Sequence, residues 1–125
     1  GAESVAKIEQ VRAAGLKSLE ILKTAGVRMA YGTDLLGASH ELQSEEFLIR
    51  AQVQSNLEVL QSATLIGAEL LNQVGVIGEI AAGARADLLL VDGNPLADLA
   101  CLTGQGERIP LVMQGGKLRV NELRA

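Results

Sequence analysis

Few side chains in this sequence are equipped for bond-breaking chemistry, and they are spread thinly. The run Tyr31-Gly32-Thr33-Asp34 closes a short aliphatic stretch with a carboxylate. A carboxylate just past the C-terminal end of a strand is where barrel enzymes place catalytic groups. Gly32 permits a sharp turn, and the Thr33 hydroxyl can hold the acid by a hydrogen bond. The same residues also fit a plain turn, because aspartate is a common turn residue. His40 is the only histidine. One histidine six positions from one aspartate does not make a zinc site, which takes at least three protein ligands even when catalytic. A loop histidine bonded to backbone accounts for it equally well. Glu41, Glu45 and Glu46 form a small acidic group that reads as a solvated helix start favoured by the helix dipole. Cys101, the one cysteine, has no histidine near it in sequence and lacks the base a nucleophile needs. Gly75-Val76-Ile77-Gly78 lacks the spacing and the following helix of a phosphate-cradling loop.

The elements that would position these groups can be read from periodicity. Apolar residues at Val5, Ile8, Val11, Leu16, Leu19 and Leu22 recur three or four apart, which predicts a helix over residues 2–25 that stops at Gly26. Gly15 weakens it by up to ~1 kcal/mol against alanine. Val27 to Tyr31 then reads as a strand leading to Asp34, and residues 35–41 as loop. Ser44 followed by Glu45 and Glu46 predicts a capped helix over Phe47 to Val53. Ser55 with Glu58 three residues on has the pattern of a capping box, with an apolar face of Leu57, Val59, Leu60 and Ala63. A third short helix spans Thr64 to Leu71.

Beyond residue 72 the texture changes. Aliphatic runs at Val74 to Ile80 and Ala86 to Val91 alternate with glycine, and Asp92-Gly93-Asn94-Pro95 is a turn. Ile109 to Met113, Gly115-Gly116 and Lys117 to Val120 read as strand, two-residue turn and return strand. Residues 1–72 and 73–125 are therefore expected to differ, the second being a small β unit.

Composition bounds the partners. With 48% hydrophobic residues in 125, the chain has enough apolar surface for one core. A net charge of -4 with scattered basic residues argues against nucleic acid and against a membrane surface. A single cysteine fits a reducing, cytoplasmic setting. No apolar run approaches the length of a membrane span.

Taken in order, these segments resemble one family. Ala25 through Asp34 looks like the eighth barrel strand of the amidohydrolase superfamily, which ends in an aspartate. Leu60 to Ala63 and Ala68 to Leu71 are similar to the helices that follow. Gly78 to Leu96 and Ile109 to Lys117 resemble the C-terminal β segment. The loop Leu35 to His40, with Gln43 to Phe47, is similar to the imidazolonepropionase and prolidase-like group.

The resemblance implies an α/β fold, α+β in isolation. Residues 1–72 would be the C-terminal slice of a (β/α)8 barrel, and 73–125 part of a composite β domain. It implies a hydrolase acting on carbon–nitrogen bonds of a small amide other than an ordinary peptide. Asp34 would be both the catalytic acid–base and a ligand to one divalent metal, zinc by preference. It would accept a proton from the attacking water and pass it to the leaving nitrogen. His40 would be a substrate contact.

The pattern also departs from the family. The His-x-His pair of the first strand and the later histidines and lysine or carboxylate have no counterpart here. A complete barrel needs about 200 residues or more. The expectation is thus a part of such an enzyme, inactive and metal-free alone. Its uncovered apolar surface would favour a homo-oligomer. The alternative is a non-catalytic assembly or binding module derived from that fold.

Overall fold

A computed structural model of the chain describes residues 14–123. The first helix, α1, is helical over residues 14–24; the earlier part of the expected 2–25 span lies outside the described residues. Its end is set by Gly26. The Val27 N–H donates to the Leu22 carbonyl at 3.0 Å and the Gly26 N–H to the Lys23 carbonyl at 2.9 Å. With Gly26 at φ 70, this is the glycine-terminated helix end in which two otherwise unpaired carbonyls are satisfied.

The expected strand over Val27 to Tyr31 does not form. Residues 27–36 have no helix and no ladder. A strand is defined by pairing, and among the described residues no other strand runs beside this segment. The expected loop at 35–41 and the expected Ser44 cap are also corrected. Gly37–Glu45 forms a 3-10 segment, and α2 runs over Glu46–Arg50 with Glu45 at its cap position and no side-chain cap bond.

Local chemistry decides the next boundary as expected. Ser55 and Glu58 form the reciprocal capping box that opens α3, Asn56–Ala63. A short α4 follows at Leu65–Leu70. The buried face of α3 differs from the expected one. Val59 and Ser62 are inside, whereas Leu57 and Ala63 are exposed. Ser62 tolerates burial because its hydroxyl donates to the Val59 carbonyl at 2.6 Å.

The run 74–80 is a series of turns and no strand. Gly75 and Gly78 sit at φ 76 and 83, which a strand cannot accommodate. A three-stranded antiparallel sheet follows, with β1 Leu88–Leu90, β2 Leu111–Gln114 and β3 Lys117–Asn121 in that order. Gly115 and Gly116, at φ 55 and 77, form the two-residue turn between β2 and β3. The Asp87 carboxylate accepts from the Gly115 N–H at 2.6 Å, tying that turn back to the start of β1.

The core is small. Val59, Leu99, Cys101 and Leu102 form it, with Phe47, Ala51, Leu60, Val91 and Ile109 packed around them. A short 3-10 turn, Leu99–Leu102, carries three of the four and is opened by Asp98, whose carboxylate accepts from the Ala100 N–H. Mixed helices around one small sheet agree with the expected α/β class as part of a larger fold. Among the described residues no helix is long and apolar enough to cross a membrane.

Candidate functional site

Asp34 ends a segment held at three points, two on its backbone and one on a side chain. The Tyr31 N–H donates to the Ser62 carbonyl at 2.9 Å. The Tyr31 hydroxyl donates to the Gln43 carbonyl at 2.6 Å. The Ala30 carbonyl accepts from Arg50 Nη2 at 3.0 Å. These bonds replace the ladder that a strand neighbour would provide.

Arg50 is the centre of this clamp. It is only 6% exposed. Its Nε donates to Glu46 Oε1 at 2.6 Å, one helical turn earlier. Its guanidinium lies 5.4 Å from the centre of the Tyr31 ring, close enough for a cation–π attraction. Phe47 packs against the same ring, with ring centres 4.6 Å apart. Burial, ahead of the nearby Glu46 charge, pushes the Tyr31 phenol up to about 12. It therefore stays protonated and keeps donating to Gln43 across the physiological range. Arg50 Nη1 is buried without a partner among the described residues, as is Gln54 Oε1 one turn further on.

Past the clamp the chain turns. Asp34 adopts φ 52, in the left-handed region where aspartate is among the more tolerated residues. Its side chain is exposed, and no residue among those described hydrogen-bonds its carboxylate; the expected bond from Thr33 is not made. His40 sits on the 3-10 segment Gly37–Glu45 and is exposed. It lines an open cavity of about 430 Å³ with Gln43, Ser44, Leu102 and Ile109, to which Asp34 does not contribute. The two residues do not share that cavity.

The donor set can be tested against a divalent ion. Among the described residues, no three His, Cys, Asp or Glu side chains are grouped to hold one. Asp34 offers a single uncommitted carboxylate, one ligand of the several a metal needs. The described residues alone do not group a ligand set for such an ion. Sequence reasoning treated Arg50 as one of several scattered basic residues. The available signal was its spacing from Glu46, since four residues on a helix place acid and base side by side.

Comparison with known proteins gives the family and the share of it that this chain spans. The model of the amidohydrolase family matches residues 2–118. Ochratoxinase of Aspergillus niger is 27% identical over 117 residues, which are 93% of this chain and 24% of that protein. A prolidase solved with N-methylphosphonate-L-proline superimposes with a TM-score of 0.87 at 50% identity, over 97% of this chain and 30% of its own. A Xaa-Pro dipeptidase with methionine in its active site gives a TM-score of 0.77 at 30% identity, over 85% and 25%. The chain thus spans about a quarter to three tenths of the relatives it matches. With nearly its whole length matched in sequence and in shape, the chain belongs to the amidohydrolase family and represents one part of that fold.

Proposed function

We propose that this chain supplies Asp34 to the active site of a hydrolase that cleaves a carbon–nitrogen bond in a small amide, and that it is inactive alone. The supporting observation is the combination at one point of the chain. The backbone through Ala30 and Tyr31 is clamped, and the carboxylate that follows is left exposed and unpaired among the described residues. A group meant only to cap a turn would spend its oxygens on neighbouring N–H groups, as Asp98 does. His40 remains a proposed substrate contact on the neighbouring 3-10 segment. Relatives named as prolidase and Xaa-Pro dipeptidase make Xaa-Pro dipeptides the first substrates to assay, beside the non-peptide amides expected from sequence. Zinc is the proposed metal of the completed protein, its remaining ligands coming from outside this chain.

Metal analysis and hydrolysis assays on two proteins test the reading. The 125-residue chain alone is expected to hold no stoichiometric zinc and to release no product. A chimaera in which it replaces the matched stretch of the 50%-identical prolidase is expected to hold zinc and to hydrolyse. Asp34→Asn in the chimaera should reduce turnover by at least about a hundredfold, the lower end of what a positioned acid–base group contributes. A chimaera carrying Asp34→Asn that is as active as its parent would end this assignment.

A second reading has its own support. Ile80 is 89% exposed, Leu36 80% and Leu70 71%, and bare aliphatic side chains favour association where they lie together. A non-catalytic, self-associating module would use that surface. Sedimentation of the chain alone reads this directly: a monodisperse monomer removes the module reading and leaves the first intact.

A further inference from the structure

Between Asp34 and α2 the chain has little to hold it. The 3-10 segment Gly37–Glu45 buries none of its residues, and its start has no side-chain cap. Its aliphatic side chains do not anchor it either, since Leu36 and Leu42 are both exposed. Where His40, Gln43 and Ser44 approach Leu102 and Ile109, an open cavity intervenes. Asp34 and Gly37 both take positive φ, 52 and 57, so the chain turns twice before it reaches His40. Among the described residues, one hydrogen bond ties this segment to chain beyond its own ends. It is the 2.6 Å bond from the Tyr31 hydroxyl to the Gln43 carbonyl, across twelve positions of sequence.

Tyr31 is itself firmly placed. Its N–H is bonded to the Ser62 carbonyl, and its ring is packed against Phe47 and the Arg50 guanidinium. The hydroxyl therefore stands at a fixed point, and burial keeps it protonated as a donor at neutral pH. The residues on either side of this bond are the two proposed for the site. Asp34 follows Tyr31 by three positions, and His40 precedes Gln43 by three. Six positions of free chain would let Asp34 and His40 separate by up to about 20 Å. A displacement of about 1 Å at a reacting group can already cost about a hundredfold in rate.

We propose that Tyr31 is a positioning residue whose hydroxyl latches the His40 segment to the Asp34 segment, and so fixes where a substrate contact stands relative to the carboxylate. That role rests on the proposed functions of Asp34 and His40. The latch acts on His40 alone. Without it, the Asp34 segment is still held by the Arg50 bond to Ala30 and the Tyr31 N–H bond to Ser62.

Tyr31→Phe removes one oxygen and keeps the ring against Phe47 and Arg50. In the chain alone, a glutamate-specific protease reads the latch by cleavage after Glu41. A hydrogen bond of this kind shifts an opening equilibrium by about two- to tenfold, and cleavage there should accelerate by the same factor. Cleavage after Glu69, on α4, should stay within about twofold of the parent. In the prolidase chimaera, assayed with an alanyl-proline dipeptide, Tyr31→Phe should raise KM about five- to tenfold and leave kcat within about twofold, the pattern of lost binding. His40→Ala should raise KM similarly. The double variant should be no worse than His40→Ala, because a latch acting through His40 has nothing further to lose. Unchanged cleavage after Glu41 in Tyr31→Phe would overturn the latch. Additive losses in the double variant, or a fall in kcat at constant KM, would overturn its action through His40. An inactive chimaera counts instead against the proposed role of Asp34, and the latch then stands or falls on cleavage after Glu41.

Discussion

Replacing Arg50 by methionine is the sharpest perturbation of the clamp. Two hydrogen bonds disappear: the 2.6 Å bond to Glu46 and the 3.0 Å bond to the Ala30 carbonyl. A bond involving a charged group contributes about 1.5–3 kcal/mol. The cation–π contact with Tyr31 adds about 0.5–1 kcal/mol. Glu46, whose side chain is 18% exposed, keeps a carboxylate in a partly dry site with no partner. Two terms act in the other direction. The unpartnered Nη1, which costs about 1–3 kcal/mol where it stands, leaves with the guanidinium. Methionine also refills much of the space with a flexible apolar chain. The balance is a loss of about 3 kcal/mol, at the low end for breaking a buried ion pair from one side.

Urea titration of the chain measures this as a lowered midpoint at an unchanged slope. The double variant Glu46→Leu/Arg50→Met supplies the control. With no carboxylate left stranded it should recover about 1 kcal/mol or more of the loss, since a buried pair replaced as a whole is often neutral. A single variant within about 0.5 kcal/mol of the parent would refute the reasoning, as would a double variant no better than the single.

Gly78→Ala should destabilise by about 3 kcal/mol in the same titration, because a Cβ there would lie 2.6 Å from the Thr64 carbonyl oxygen at φ 83. Glu58 accepts from the Ser55 N–H and from Lys23, and these bonds, the Ser55 N–H first, hold its carboxyl down at about 2. A depressed carboxyl stabilises above its unfolded value of 4.5 and ceases to do so as the pH falls through about 2. Glu58→Gln should therefore cost stability at about pH 7 and nothing at about pH 1.5, by thermal melts at both. Solvent screening at a side chain 42% exposed keeps the difference to about 1 kcal/mol. Asp34→Asn should leave the unfolding free energy within about 0.5 kcal/mol in the urea titration, because the carboxylate bonds nothing among the described residues; a large loss would mean that it is structural.

The parts of the fold legible in the sequence are those fixed within a few residues. Ser55 and Glu58 specify the start of α3 by themselves, Gly26 ends α1, and Gly115-Gly116 turns β2 into β3. Each is a contact between near neighbours, so the local string contains the whole cause. Val27 to Tyr31 failed for the opposite reason. Its aliphatic run carries strand propensity, but a ladder needs a partner that no described residue supplies. Gly75 and Gly78 likewise overrule the aliphatic run around them by taking positive φ. On α3, periodicity selects a face without saying what that face meets. The neighbour proved to suit Val59 and Ser62, leaving Leu57 in solvent. Asp34 was visible as a carboxylate after an aliphatic run. Arg50 was not, because its burial comes from Tyr31, Phe47 and Ala30, and only folding assembles them.

That difference between Asp34 and Arg50 bears on how a site survives in a part of a fold. A segment torn from a sheet loses the ladder that fixed its direction, and every residue freed in this way regains about 1–2 kcal/mol of backbone entropy. Here the direction is kept by groups from α2, α3 and the 3-10 segment: Arg50, the Ser62 carbonyl and the Gln43 carbonyl. All three come from chain that follows Asp34 closely in sequence, so the carboxylate's mounting travels with it. On the role proposed for Asp34 its chemical partners would come from elsewhere, since the described residues hold no group of three ligating side chains. If Asp34 acts as proposed, geometry is carried by one part of the fold while reactivity waits on the other. Adding the remainder should then change metal content and turnover while leaving the protection of the Tyr31 amide against hydrogen exchange nearly constant. Protection of Tyr31 that arises only in the completed protein would show that the clamp is a product of assembly, and the division of labour argued here would fall.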